Sequence, residues 1–271
     1  MTPKGIVTFL SDYWLQDEFV GVCHGVMLRI APQLKIVDVH HYILRQDIRH
    51  GAVVLKQSVQ FLPDAVHLAV VDPAVGSSRK AIAITTGEGA VFVGPDNGLM
   101  VPAAKSLGGI EAAYVITEEK YLLTPLSHTF QGRDLFAPAA AHIANGVEAS
   151  ELGPELPAEE LVQLEIPQAW AHDDHLHAEV LQVDRFGNLQ LNLEAHHLDD
   201  VGLVGSDLEV RLEGHRLRVP HGHTFADVDI GEFVLCEDSY HYLSLAINKG
   251  DAAGRLQARA GSTVILGPAR G

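Results

Sequence analysis

The sequence has few cysteines and no long apolar run. Of 271 residues only two are cysteine. Cys23 and Cys236 lie far apart in apolar contexts, which favours buried thiols over a disulfide. No apolar stretch approaches the ~18 residues that cross a bilayer, and MTPKGIVTFLSDYW lacks the layout of a signal peptide. We therefore expect a cytoplasmic protein that makes no membrane contact.

Basic residues are also scarce. Lys and Arg number 19 against 35 Asp and Glu, and the formal net charge is −16. Nucleic acids and anionic membranes are therefore excluded as partners, because binding phosphate groups relies on clustered Lys and Arg. A cationic small molecule suits this charge better.

Several catalytic motifs are absent. The 16 histidines are scattered, and they form neither HExxH nor a Cys/His pair at zinc spacing, so we expect no metal site. No GxGxxG, no GxxxxGK[ST] and no GxSxG occurs. These absences argue against a phosphate-binding loop and a nucleophilic serine.

What is present divides the chain into two halves. Residues 1–155 alternate apolar strand-like runs with helix-like segments, which predicts an α/β sheet buried on both faces. Residues 156–175 carry prolines among acidic residues and are predicted to form a linker. Residues 176–271 alternate polar and apolar residues between tight turns, which is typical of a small antiparallel β-barrel or sandwich.

The predicted elements of the first half are six strands and three helices. The strands are Gly5–Ser11, Lys35–His40, Ala65–Val71, Ala81–Thr85, Ala90–Val93 and Ala112–Ile116, and the helices are Glu18–Ile30, Ile48–Phe61 and Asp134–Asn145.

Three predicted strands carry an acid at or near their ends: Asp12, Asp38 and Asp72. In open α/β sheets, ligands bind beyond the carboxyl ends of the strands, so these carboxylates are expected to converge on one rim. Each of them alone is equally consistent with a helix or turn cap.

Two segments carry further candidate groups. In DPAVGSSR, Arg79 returns seven residues after Asp72, a spacing that predicts an ion pair at the site or a solvated pair in a surface turn. In SHTFQGRDLFAP, a loop holding Gly132 leads into a helix with Asp134 near its start. Backbone N–H groups there can face a small ligand, or the segment is an ordinary capped helix.

Six motifs occur in an order that resembles one family. They are SDYWLQDEFVGVCHGVM, VVDPAVGSSR, VGPDNGLM, HTFQGRDLFAPAAAHIA, DRFGNLQLN and DSYHYLSLAIN. They are similar to the S-adenosyl-L-methionine (SAM) hydroxide adenosyltransferases, relatives of the fluorinase and chlorinase. The resemblance implies an α/β N-terminal domain, a C-terminal β-barrel, SAM as substrate without a cofactor, and a homotrimer with active sites between subunits.

The resemblance also implies substrate contacts in both halves. Asp12 would hold the ribose hydroxyls, and Asp17 would lie near the methionine moiety. The remaining implied contacts are Phe130, Phe186 and Phe225 around the adenosyl group, Asn188 and Asn248 at the adenine edge, and Asp184 and Ser239 at the amino-acid end.

The family's hydrolases activate water with an Asp-Arg-His set, of which Asp72 and Arg79 match two members. Gln131 replaces the histidine, and glutamine cannot accept a proton at neutral pH. His128 is an alternative source of an imidazole. The carboxylate of Asp72 favours water over a halide as the nucleophile, because it repels an incoming anion.

Tyr240 stands where the halogenases have an arginine for the methionine carboxylate.

The resemblance as a whole predicts hydrolysis of SAM to adenosine and methionine by attack of water at C5′. Two alternatives remain, a SAM-binding or adenosine-binding protein without turnover and a SAM-dependent halogenase.

Overall fold

The computed structural model describes residues 5–269. The chain divides into two compact units, Met1–Glu165 and Ile166–Gly271. The segment 156–175, predicted as a linker, is shared between them. Leu156 and Leu161 are buried in the first unit, whereas Trp170–His172 forms a strand of the second unit.

The first unit contains one mixed sheet. Its strands are β1 (Ile6–Ser11), β2 (Lys35–His40), β3 (Val66–Val70), β4 (Ala81–Thr86), β5 (Val91–Pro95) and β6 (Ile110–Val115). They lie in the order β2-β1-β3-β5-β4-β6. The pairs β1/β2, β1/β3 and β3/β5 are parallel, and β4 runs antiparallel to β5 and β6.

Helices cover both faces of this sheet. They are α1 (Phe19–Ile30), α2 (Ile48–Val59), α3 (Val101–Ser106) and α4 (Ala137–Ala144). Alternate residues of β3 enter two different cores: Leu68 and Val70 pack with residues of α1 and α4, whereas Ala69 packs with residues of α2 and α3. A strand buried on both faces requires a largely apolar sequence, which β3 has apart from His67.

Local signals explain where the helices begin and end. Asp47 caps α2 by accepting the backbone N–H of His50 at 2.9 Å. A π-helical turn, Gly132–Phe136, leads directly into α4. Gly146 follows α4 with a φ of 104° and donates its N–H to Ile143 at 2.8 Å, as expected for a glycine beyond a helix end.

The second unit is an antiparallel sheet that is nearly closed into a barrel. Its strands are β7 (Trp170–His172), β8 (His175–Val183), β9 (Leu189–Glu194), β10 (Asp207–Leu212), β11 (His215–Pro220), β12 (Phe233–Glu237), β13 (Tyr242–Ile247) and β14 (Thr263–Pro268), with helices α5 (Ala195–Asp200) and α6 (Ala252–Leu256). The order is β11-β10-β14-β8-β9-β13-β12, with β7 beside β8. Gly222 N–H donates to Leu235 C=O at 3.0 Å and joins the two ends of this order.

These observations confirm the predicted fold class, an α/β domain followed by an antiparallel β-barrel. The six predicted strands of the first half and its three helices are present, with ends shifted by a few residues. The short helices α3, α5 and α6 and strand β7 were not predicted. Within residues 5–269, every helix falls short of the length and apolar character that a bilayer span needs.

His67 gives the fold a pH dependence that can be measured. It lies in β3, is 1% exposed, and its Nδ1 is 2.8 Å from Thr8 Oγ1. Burial lowers its pKa from 6.5 to about 4. Between these two values the unfolded chain binds a proton and the folded chain does not, so stability rises with pH.

We predict that acidification from about pH 7 to about pH 5 removes on the order of 2 kcal/mol of unfolding free energy through this one group. Urea unfolding of His67→Gln should show a shallower pH slope than the unaltered protein. His196→Gln, which changes an exposed histidine, serves as the control. Equal slopes for the protein and His67→Gln would contradict the prediction.

Candidate active site

Two neighbouring parallel strands place the candidate acids together. Ser11, the last residue of β1, pairs with Val70 at the end of β3, so Asp12 and Asp72 leave the same edge of the sheet. Both line one cavity of about 480 Å³, a size suited to a small-molecule ligand. Its lining residues are Asp12, Tyr13, Phe19, Val70, Asp72, Val75, Ser127, Thr129, Phe130, Gln131, Gly132 and Arg133.

A buried ion pair lies at this cavity. Arg79 Nε donates to both oxygens of Asp72, at 3.1 and 3.0 Å, and an Nη donates to Oδ2 as well. The side chains of Asp72 and Arg79 are only 6% and 10% exposed. The Arg79 Nη that donates to Asp72 also donates to Gln131 Oε1. The arginine thus fixes Asp72 and Gln131 relative to each other.

Gln131, and not His128, shares this network. His128 is exposed, and its backbone carbonyl lies against Gly76 in the turn that follows Asp72. A Cβ at Gly76 would come within 2.7 Å of that carbonyl oxygen, and the φ of 79° also requires glycine. The turn after Asp72 and the loop before Gly132 therefore pack closely.

Aromatic rings form one wall of the cavity. Phe130 meets Tyr13 and Phe19 edge-on, with ring centroids 5.8 and 5.0 Å apart. Burial raises the pKa of the Tyr13 hydroxyl well above its ordinary value, so this ring stays neutral. A Cβ at Gly132 would clash with the Tyr13 hydroxyl, which explains the glycine there. Tyr13 and Phe19 were not predicted as site residues.

The remaining acids of the first unit differ in placement. Asp12 accepts the backbone N–H of Gln46 at 2.9 Å, and burial raises its pKa, with the nearby charge of Asp72 adding to the effect. Asp17 is exposed and lies outside the cavity lining. Asp38 does not join this rim, contrary to the expectation, because it lies within the edge strand β2 and bonds to two histidines.

The predicted residues of the second unit line two adjoining concavities that share Asn188 and Phe225. The first, of about 300 Å³, also contains Asp184, Ser239 and Tyr240. The second, of about 500 Å³, also contains Phe186 and Asn248.

Hydrogen bonds hold the loop that carries these groups. Asp184 Oδ1 accepts the backbone N–H groups of Phe186 and Asn188 at 2.8 and 2.9 Å, and Oδ2 accepts the Asn188 amide at 2.8 Å. Phe186 is 68% exposed, so its ring is available to a ligand. The Asn248 amide nitrogen donates to the Val228 carbonyl at 2.8 Å.

Acidic and uncharged polar residues line the concavity at Tyr240. Tyr240 N–H donates to Asp238 Oδ1 at 2.8 Å, and Gln190 donates to Asp238 Oδ2 at 2.5 Å. Among the described residues that line this concavity, neither Lys nor Arg occurs. An anionic ligand group would therefore rely on hydroxyl, amide and imidazole donors here.

Comparison with known proteins covers nearly the whole chain. Residues 7–153 match the model of the SAM hydroxide adenosyltransferase N-terminal domain, and residues 178–265 match that of its C-terminal domain.

Individual relatives agree with these matches. The chain is similar to the (R)-S-adenosyl-L-methionine hydrolase of Salinispora tropica, at 43% identity over 94% of this chain and 95% of that protein. The hydrolase of Thermus thermophilus is 39% identical, over 96% and 98% of the two chains. The fluorinase of an Actinoplanes species is 30% identical, over 96% and 97%.

A solved structure matches the fold as well. The crystal structure of an uncharacterized conserved protein from Thermotoga maritima superposes with a TM-score of 0.90, at 32% identity, covering 96% of this chain and 99% of that one.

The buried ion pair predicts a specific stability pattern. Arg79→Met should lower the unfolding free energy by about 3 kcal/mol, because it leaves the Asp72 carboxylate buried without its cation. Adding Asp72→Asn to Arg79→Met should restore part of that loss, because the uncompensated charge is removed. Urea unfolding of the single and double variants measures both effects. A double variant less stable than Arg79→Met would contradict the assignment.

Proposed function

The chain belongs to the SAM hydroxide adenosyltransferase family, and on that premise we propose that it hydrolyses SAM to adenosine and L-methionine. The observation that carries the proposal is the Asp72–Arg79–Gln131 network at the cavity formed by the ends of β1 and β3. A carboxylate in that place can orient a water molecule against C5′ of the substrate.

Substrate binding in the proposal uses residues of both sequence halves, contributed by two neighbouring subunits. Asp12, which lines the cavity, accepts hydrogen bonds from the ribose hydroxyls. Phe130 and its neighbouring rings enclose the adenosyl group. The concavities of the second unit supply Asn188 for adenine and Asp184 with Ser239 for the amino-acid end. Asp17 is exposed and contributes, at most, electrostatic attraction to the cationic substrate.

The chemical step is a displacement at carbon. The water oxygen forms a bond to C5′ while the C5′–S bond breaks. The electron pair of the C5′–S bond stays on sulfur, which leaves as the neutral thioether of methionine. One water proton becomes the 5′-hydroxyl hydrogen, and the other passes to Asp72 or to solvent. No acid is needed at the leaving group, because the sulfonium loses its charge as the bond breaks.

The surroundings favour this step in two ways. In-line placement of water opposite sulfur lowers the entropic part of the barrier. The apolar wall of Val70, Val75 and Phe130 solvates the sulfonium poorly. The transition state, in which the sulfonium charge decreases, therefore loses less solvation energy here than it would in water.

Gln131 changes how the water is activated. Its Oε1 accepts from Arg79, so its amide N–H groups remain to donate to the water oxygen. A neutral amide orients water and takes no proton at neutral pH. Proton acceptance therefore rests on Asp72, and we expect slower turnover than with an imidazole at this position.

The same carboxylate disfavours the halogenase alternative. A halide at the nucleophile position would lie next to Asp72, and the repulsion between two anions opposes its binding. A binding protein without turnover is the other alternative, which Gln131 favours because it removes the family's histidine.

Three further features accompany the proposal. The chemical step uses no metal ion, because the cavity residues can orient water and position C5′ directly. The enzyme is a homotrimer whose active sites combine residues of two subunits, which a solution mass of three chains would support. The reaction takes place in the cytoplasm, which the two buried free cysteines support.

We predict that purified protein with SAM and a chelator releases adenosine and methionine in equal amounts. The (R) and (S) sulfonium epimers should be assayed separately, because the similar hydrolases are named for the (R) form. In water enriched in oxygen-18, the label should enter the adenosine 5′-hydroxyl. Liquid chromatography with mass spectrometry measures both results.

Added chloride serves as the control in this assay. The product should remain adenosine, and 5′-chloro-5′-deoxyadenosine in its place would support the halogenase alternative. Bound nucleoside in a stoichiometric amount, without turnover of either epimer, would overturn the hydrolase proposal.

Two substitutions test the division of roles. Asp72→Asn should lower kcat by roughly 100-fold or more, because it removes the group that orients water and accepts its proton. Gln131→His should raise kcat several-fold, since an imidazole restores a proton acceptor. Steady-state kinetics measures both, with Ser78→Ala, at an exposed position of the same turn, as the matched control. An unchanged kcat for Asp72→Asn would contradict the assignment.

A further inference from the structure

A second cluster of ligand-type side chains lies outside the proposed cavity. His24 of α1, Asp38 of β2 and His41, just after β2, bring their side chains together. Asp38 Oδ1 is 2.8 Å from His24 Nε2 and 3.0 Å from His41 Nε2. The three ligand atoms all lie within 4.8 Å of one another. None of the three residues lines the cavity that holds Asp72.

The geometry of this cluster is close to that of a metal site. Ligand atoms bound to one tetrahedral zinc ion are each about 2.0–2.2 Å from the metal and therefore about 3.3 Å from each other. Two imidazoles already converge here on a single carboxylate oxygen. Side-chain shifts of about 1 Å, with the single N–H hydrogen of each neutral ring carried on Nδ1 in place of Nε2, would turn these hydrogen bonds into coordination bonds.

His41 also has the second contact that metal-bound histidines show. Its other ring nitrogen, Nδ1, lies 2.7 Å from Ser11 Oγ. An oxygen at this nitrogen fixes the ring orientation and lets Nδ1 carry the hydrogen, which leaves Nε2 as the ligand. The ring also packs edge-on against the buried Phe9 at 4.7 Å. His41 is therefore held before any ion arrives.

The cluster is also accessible. The side chain of His41 is only 2% exposed, but those of His24 and Asp38 are 26% and 45% exposed. This arrangement leaves an entry path and a position for a water ligand. The three ligands come from two segments, α1 and the end of β2 with the residue that follows it, so a bound ion would join these two segments.

We propose that His24, Asp38 and His41 form a binding site for a divalent transition-metal ion of the zinc class. Two imidazole nitrogens and one carboxylate oxygen suit such ions better than Mg²⁺ or Ca²⁺, which prefer oxygen ligands. The site stabilises the end of β1 and the segments around it. Because Ser11 Oγ also accepts the Tyr13 N–H at 3.3 Å, the ion would support the backbone that carries Asp12.

Titration of tag-free protein with Zn²⁺ tests this proposal. Isothermal calorimetry at neutral pH should show one tight site per chain, and Zn²⁺ should raise the Tm. His24→Gln and Asp38→Asn, which alter the two more exposed ligands, should each weaken binding at least about tenfold and remove the Tm shift. His40→Gln changes the neighbouring histidine, which contributes no ligand, and should bind as the unaltered protein does.

Crystals grown with Zn²⁺ provide an independent measurement. An anomalous peak at the zinc edge should lie about 2.0–2.2 Å from His24 Nε2, His41 Nε2 and an Asp38 oxygen. Equal affinity in His24→Gln, a peak only at other histidines, or no binding would each overturn the proposal. None of these measurements involves SAM, so their outcome is independent of the proposed hydrolase activity.

Discussion

The contact between Asp72 and Arg79 is the constraint on which the proposed site depends. Both side chains are almost fully buried, and a buried carboxylate is tolerated only with a cation and hydrogen bonds that offset its desolvation. Arg79 supplies both, and by bonding to Gln131 as well it ties the turn after β3 to the loop before α4. Gly76 lets those two segments approach. The position of the carboxylate at the cavity therefore depends on close packing between these two loops.

Much of this arrangement could be predicted from the sequence. The apolar residues of β3 reflect burial on both faces of its sheet, and the alternation of polar and apolar residues in β8 to β14 reflects burial on one face. These two patterns made the fold class predictable. The pairing of Asp72 with Arg79 followed from their spacing across a Pro/Gly turn. Helix α3 was not predicted, because six residues with a proline near the start carry little periodic signal. Tyr13 and Phe19 were missed because their rings reach the cavity only through packing against Phe130.

Asp38 shows where the same reasoning failed. An acid near a strand end is expected to face the common rim. Asp38 lies within an edge strand, however, where the pleat of the strand sets the direction of its side chain. Asp38 therefore contacts His24 and His41. His24 and His41 form no metal motif in the sequence, because seventeen positions separate them. Only the parallel pairing of β1 with β2 and the packing of α1 bring them together. The roles assigned to the individual site residues remain predictions, since contacts with substrate depend on a bound molecule.

The proposed mechanism depends most directly on where the reacting oxygen lies relative to Asp72. In adenosine, the 5′-oxygen is the atom that the attacking water contributes, so a crystal structure of the protein with adenosine locates it. We predict that this oxygen lies within about 3.2 Å of an Asp72 carboxylate oxygen, with the ribose hydroxyls bonded to Asp12. A 5′-oxygen that faces away from Asp72, or adenosine bound at another place, would contradict the account.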